Sequence, residues 1–157
     1  MQTQAIEVIE TEVVREEVMS LNHARLTTRI TSLLFAAYES RFNILTELEF
    51  ELSTGRYKPD VAILPQLAYD WERDIIRYPE PPITAIEIIS PTQALDGLIE
   101  KIRSGYLASG VQSAWLVLPA VRSISLYLPN QAAQLISTGT LHDPATGVEL
   151  ELDAIFR

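Results

Sequence analysis

Two hydrophobic periods alternate along the chain. From Asn22, read as an N-cap, the stretch "HARLTTRITSLLFAAYES" puts Leu26, Ile30, Leu33, Leu34 and Ala37 at helical spacing. Thr27, Arg29 and Ser32 fall elsewhere on the wheel, which predicts an amphipathic helix. The period then drops to two. In "NILTELEFELSTGRY", Ile44, Leu48, Phe50 and Leu52 alternate with Glu47, Glu49 and Glu51 before a Ser-Thr-Gly turn. This predicts a half-exposed strand entering a hairpin whose return strand is "RYKPDVAILP". Pro59 has no N–H to give a ladder, so it belongs at a strand start, an edge or a bulge.

Residues 65–82 are rich in proline and charge and read as a connection, with a short helix over Ala68–Arg77 carrying Trp71, Ile75 and Ile76. "ITAIEIIS" reads as a buried strand ended by Pro91. Thr92 then caps a helix reaching about Ala108, with Leu95, Leu98, Ile99, Ile102 and Tyr106 on one stripe and Gly110 closing it. "SAWLVLP" is a continuous apolar strand of the kind buried on both faces, and "SISLYLP" follows a turn containing Arg122. Short strands near "AQLIS" and "GVELEL" complete an α/β domain with a mixed β-sheet flanked by helices. Residues 1–21, acidic and β-branched, read as an arm or edge strand ahead of a single domain over residues 22–157.

Composition narrows the chemistry. At 157 residues with 47% hydrophobic and 21% charged positions, the chain is long enough for one well-buried core. It has no cysteine, which excludes disulfides, thiolate zinc sites and thiol nucleophiles and agrees with a cytoplasmic location. No leader pattern and no apolar run of about eighteen residues occurs, so no membrane association is expected. A net charge of -9 disfavours nonspecific coating of nucleic acid. It leaves room for a weak or local DNA contact made through a divalent cation, which reverses the field of acidic ligands.

Two acids break the apolar runs: Asp60 at the mouth of "VAILP", and Glu87 inside "ITAIEIIS". Alternation puts Glu87 with Ile83, Ala85 and Ile89, and sends Ile86 and Ile88 to the other face. A carboxylate in such company is costly, and two that converge require either a shared proton or a cation. Oxygen ligands of this kind suit magnesium or manganese better than zinc. In the helix that follows, Lys101 lies on a stripe of Ala94, Gly97, Gly105 and Ala108. Two glycines cost a helix about 1 kcal/mol each relative to alanine. The stripe therefore predicts close approach to the sheet, with the lysine stem running toward the carboxylates.

These residues carry a resemblance. "KPDVAIL", then "IEIISPTQALDGLIEKIRSGYLASGVQSAWLVLPAVRSISLY", resembles the Uma2 (Uma-two) family of restriction-endonuclease-like proteins, a branch of the PD-(D/E)XK nuclease superfamily, over about residues 22–156. The resemblance implies a restriction-endonuclease-like fold, with Asp60 and Glu87 as ligands of magnesium or manganese and Lys101 as the catalytic lysine. By analogy with the superfamily, the carbonyl of Ile88 is a further metal ligand. It also implies DNA as substrate and a homodimer, since cutting a duplex often pairs two sites. One departure matters: the parent Glu-x-Lys pattern would put the lysine at position 89, where this chain has Ile89.

Each residue also has a plainer reading. Asp60 can be a strand-start residue and Lys101 a snorkelling helix lysine. His23, a candidate for touching phosphate or metal, reads more plainly as a surface residue beside an N-cap, and Asp96, a candidate metal ligand, as a favourable charge in a first helical turn. The row of Glu47, Glu49 and Glu51 reads as a solvated face, and Trp71 and Trp115 as core or interface. Glu16 and Glu17 are within reach of the site only if the N-terminal region folds toward it. Two other functions compete with a DNA endonuclease: an inactive binding or regulatory module on the same fold, and a hydrolase of RNA or a small phosphodiester.

Overall fold

In a computed structural model, residues 19–157 are described. The first helix, α1, is Leu21–Tyr38, and its N-cap is Ser20 rather than Asn22: the Ser20 hydroxyl accepts from the His23 amide at 3.2 Å. His23, Leu26, Ile30 and Leu34 are its buried residues, whereas Ala37 is exposed. Of the predicted arm, residues 1–21, positions 1–18 lie outside the described residues, Glu16 and Glu17 among them.

Strands β1 (Phe42–Thr46), β2 (Glu49–Leu52), β3 (Gly55–Tyr57) and β4 (Val61–Pro65) follow α1. The alternating stretch is thus two strands instead of one. Glu47, at φ 56°, interrupts it. The interruption changes which face is served: Ile44 packs with Leu26 and Ile30 under α1, while Phe50 and Leu52 join the core on the opposite side of the sheet. The return strand is likewise split, with β3 pairing β2 and β4 pairing β1.

Residues 66–76 form no helix. Trp71 is 90% exposed and stacks on Tyr69, and Ile76 also faces outward. The segment ends in β5 (Arg77–Tyr78), which adds parallel to β2. Strand β6 (Thr84–Ile88) then enters the centre of a six-stranded sheet ordered β1-β4-β6-β7-β8-β9, with β7 at Ser113–Leu118, β8 at Ser123–Tyr127 and β9 at Gln134–Ile136. Only β6 and β7 are parallel neighbours in it, joined by the predicted helical crossover.

Both faces of this sheet are covered, which is why its middle strands are apolar without a break. Ile63, Ile86, Ile88, Trp115 and Val117 face α1. Ala62, Leu64, Ala85, Ala114 and Leu116 face the crossover helix. The hairpin β10 (Thr140–Asp143) and β11 (Val148–Glu151), with the short α3 (Leu152–Ile155), closes the α1 side. It is tied to the centre by buried Asp143, whose Oδ2 accepts from Ser113 Oγ at 2.6 Å and Trp115 Nε1 at 2.8 Å.

The crossover is α-helical over α2 (Leu95–Glu100), π-helical over Lys101–Tyr106, and 3-10 over Leu107–Ser109 before Gly110 at φ 105°. Its N-cap is Ala94, without a side-chain bond, so Thr92 does not cap it. The small-residue stripe makes one tight approach. A Cβ on Gly105 would stand 2.9 Å from the Tyr57 ring, while one on exposed Gly97 would meet nothing within 4 Å.

Candidate active site

Strands β4 and β6 are antiparallel with Val61 opposite Ile86. One further step in that register puts Asp60 across from Glu87 at one end of the sheet. Here the two helical layers meet. Helix α1 brings His23 to Asp60 from one face, and the π turn brings Lys101 and Tyr106 to Glu87 from the other.

Asp60 Oδ2 lies 3.1 Å from His23 Nε2 and accepts the Ile88 amide at 2.7 Å. Glu87 Oε1 takes Lys101 Nζ at 2.6 Å and the Tyr106 hydroxyl at 2.6 Å. Each carboxylate therefore has both donors on one oxygen. Asp60 Oδ1 and Glu87 Oε2 have no protein partner among the described residues, yet neither is sealed off: the one fully buried, unpartnered side-chain polar atom is Thr31 Oγ1. Two carboxylate oxygens are left facing accessible space.

The π turn makes the Glu87 arrangement possible. Residues five apart on an α-helix point about 140° away from each other, at 100° per residue. A π turn, bonded i to i+5, brings them nearly into line. Lys101 and Tyr106 are five apart and reach the same oxygen, with Nζ 5.7 Å from the Tyr106 ring centre.

Charge at the site is internally compensated. Glu87 is 4% exposed, and its burial raises its pKa above the usual carboxylate range while the Lys101 ammonium opposes the rise. The hydrogen bond to Asp60 raises the His23 pKa against the effect of burial, and the fields of Asp60, Glu87 and Glu47 act in the same upward direction. Burial, followed by the Glu87 charge, raises the Tyr106 pKa, so its hydroxyl remains a donor at neutral pH.

The residues predicted from sequence, Asp60, Glu87 and Lys101, come together, and Ile88 joins them through its amide. Asp96 has no bond to them. Glu49 and Glu51 pair with Arg77 and Arg56 at the surface. Two further participants join the site. His23 is 3% exposed and not a surface residue; its spacing of three and seven residues from Leu26 and Ile30 is the available signal. Tyr106 is buried with Leu98 and Ile102, as the apolar stripe predicts, but nothing in an α-helical wheel sends its hydroxyl to the position reached by Lys101.

Among the described residues, no three His, Cys, Asp and Glu side chains are arranged as a ready metal cage. Two carboxylate oxygens, supplemented by main chain and water, are nonetheless a donor set that fits magnesium, which keeps several waters and takes few protein ligands.

Comparison with known proteins agrees with this architecture. The family model Uma2, described as "Putative restriction endonuclease", matches residues 1–154. A crystal structure described as "a putative nuclease belonging to DUF820" from Anabaena variabilis superposes with TM-score 0.78 at 18% identity, over 88% of this chain and 82% of its own. A chain of a DrdV–DNA complex solved by cryo-electron microscopy gives TM-score 0.42 at 18% identity, over 69% of this chain and 66% of its own. No curated protein matches the sequence.

Proposed function

The chain belongs to the Uma2 family, and from that premise we propose that it is a magnesium- or manganese-dependent endonuclease that hydrolyses DNA phosphodiester bonds at Asp60, Glu87 and Lys101. The observation that carries the reading is the pair of unspent oxygens, Asp60 Oδ1 and Glu87 Oε2, each on a carboxylate whose other oxygen is held by two donors. These two oxygens, with the Ile88 carbonyl, would hold the cation. When bound, the cation supplies polarisation of the phosphate and charge for the departing oxygen.

The chain's own residues do the rest. His23 and the Ile88 amide fix the rotation of Asp60, and Tyr106 fixes that of Glu87. Lys101, with 29% of its side chain exposed, reaches from the carboxylate to the mouth of the site. There it orients the attacking water and offsets phosphate charge as a compact cation. Water adds to phosphorus, the P–O bond to the leaving sugar oxygen breaks, and the products are a phosphate monoester end and a hydroxyl end.

The proposed working unit is a homodimer, one site per strand of a duplex, in the cytoplasm. Among the described residues no helix is long and apolar enough to cross a membrane.

The test is cleavage of plasmid and single-stranded DNA with magnesium or manganese by the wild type and by Asp60→Ala, Glu87→Ala and Lys101→Ala. Each substitution is expected to lower the rate by about 100-fold or more. Unchanged rates in the three variants would refute the assignment. Light scattering with and without a duplex tests the dimer, and cleavage confined to RNA would replace DNA as the substrate.

A further inference from the structure

Beside the site lies a second feature that the catalytic reading does not use. A cavity of about 210 Å³ is lined by Asn22, Arg25, Pro119, Arg122, Phe156 and Arg157, among others. Three arginines meeting at one cavity are notable in a chain of net charge -9. Among the described residues, none of the three pairs with an Asp or Glu side chain; Arg25 donates to the Arg157 main-chain oxygen at 3.0 Å. Of the eight other described lysines and arginines, three are held by glutamates and five are not, so what sets this place apart is that three such arginines line one cavity.

One feature of the backbone favours an anion here. The cavity sits at the N-terminus of the 18-residue α1, where the helix dipole adds positive potential. Arg122 is held at φ 45° by the turn between β7 and β8, where its amide bonds the Pro119 carbonyl at 3.1 Å.

The cavity is linked to the carboxylates along α1: Asn22 lines it, and the adjacent residue, His23, is the one that holds Asp60. Asn22 and Pro119 further line a larger groove that continues to Ile89 and Ser90, immediately after Ile88.

We propose that Arg25, Arg122 and Arg157 bind a DNA backbone phosphate flanking the one at the metal site, so that this local cationic pocket gives an acidic protein its grip on the strand. The proposal rests on the nuclease reading above and adds where the substrate is held. Guanidinium groups suit the task because their donors form a planar fork that matches phosphate oxygens. Such a contact positions the strand and carries no sequence information.

The test is fluorescence anisotropy with a short fluorescein-labelled DNA duplex, without magnesium so that the duplex stays whole, across roughly 50–200 mM salt. Arg25→Gln and Arg122→Asn are compared with the wild type, asparagine being chosen because it tolerates the left-handed backbone at position 122. Three guanidiniums share a phosphate worth about 0.9 in the log–log salt slope, so each variant is expected to flatten the slope by about 0.3 and weaken binding about twofold at 0.1 M salt, and the two together by about 0.6 and fourfold. Arg25→Lys, which keeps the charge, should retain the slope and so separates charge from any loss of packing. Slopes equal to the wild type's in both neutral variants would overturn the proposal while leaving metal-dependent cleavage standing. Wild-type protein that binds inorganic phosphate in calorimetry as tightly as the duplex would overturn it too, since the pocket would then serve a free anion. Wild type without metal-dependent cleavage sinks the nuclease reading itself.

Discussion

The buried carboxylate of Asp143 offers the sharpest quantitative test of the fold. It is 1% exposed and accepts from Ser113 Oγ at 2.6 Å, Trp115 Nε1 at 2.8 Å, Thr84 Oγ1 at 3.4 Å and the Ala145 amide at 2.9 Å. Asp143→Ala takes the acceptor away from all four. Water reaches the half-buried Ala145 amide, and Thr84 and Ser113 still have each other at 2.7 Å. Two donors are left stranded in the core: the Trp115 indole N–H and one of the two hydroxyl protons.

The two stranded donors together cost about 2–6 kcal/mol, and relief of the carboxylate's own desolvation returns part of that, so a net loss of roughly 2–4 kcal/mol is expected. That is a large share of the typical 5–15 kcal/mol that holds a domain together. Asp143→Asn keeps one acceptor for Trp115 and Ser113 while turning donors toward a donor elsewhere, so it should cost about half as much. Equilibrium urea unfolding, followed by far-UV circular dichroism, gives both values. An alanine variant within about 1 kcal/mol of wild type, or an asparagine variant as damaged as alanine, would refute the view that Asp143 is an acceptor hub.

Three further outcomes are expected. Gly105→Ala should destabilise by about 1–2 kcal/mol net, because its Cβ meets the Tyr57 ring at 2.9 Å, whereas Gly97→Ala, with nothing within 4 Å, should stabilise by about 0.5–1 kcal/mol; thermal melting compares them. Tyr106→Phe and His23→Ala each remove a group that orients a carboxylate, and each should lower metal affinity or cleavage by about 10–100-fold, read by calorimetry and by rate. Burial raises the Tyr127 pKa, opposed by the Arg103 guanidinium beside its ring. Its neutral form therefore favours folding fully below the unfolded value of about 10, and that contribution is lost as pH rises beyond it. Urea midpoints should fall above about pH 10, and less steeply in Tyr127→Phe.

Much of this molecule could be read from residue order because the middle strands obey period two. Glu87 shares a face with Ala85 and opposes Ile86 and Ile88, as alternation requires. That places an acid where it needs partners. The errors occur where a single backbone angle resets the period. Glu47 at φ 56° turns one alternating stretch into two strands serving two cores, and nothing in the residue types marks the switch. Trp71 differs for another reason: a large aromatic predicts burial on average, but this one is not in the core and stacks on Tyr69 at the surface. His23 was underrated because cap residues are usually solvated, whereas this helix end is the point at which α1 meets the sheet.

The π turn has a consequence for how relatives of this chain are compared. A relative with one residue fewer between the lysine and the tyrosine has them four apart, the spacing at which an α-helix without a π turn puts both on one face. Its tyrosine still reaches the oxygen shared with the lysine, whereas the same five-residue spacing wound as an α-helix turns the tyrosine about 140° away. A one-residue gap within those six positions is therefore a change of winding and not of wiring. Two sequences aligned without a gap there can look nearly identical and still differ in whether their glutamate is held by one donor or by two.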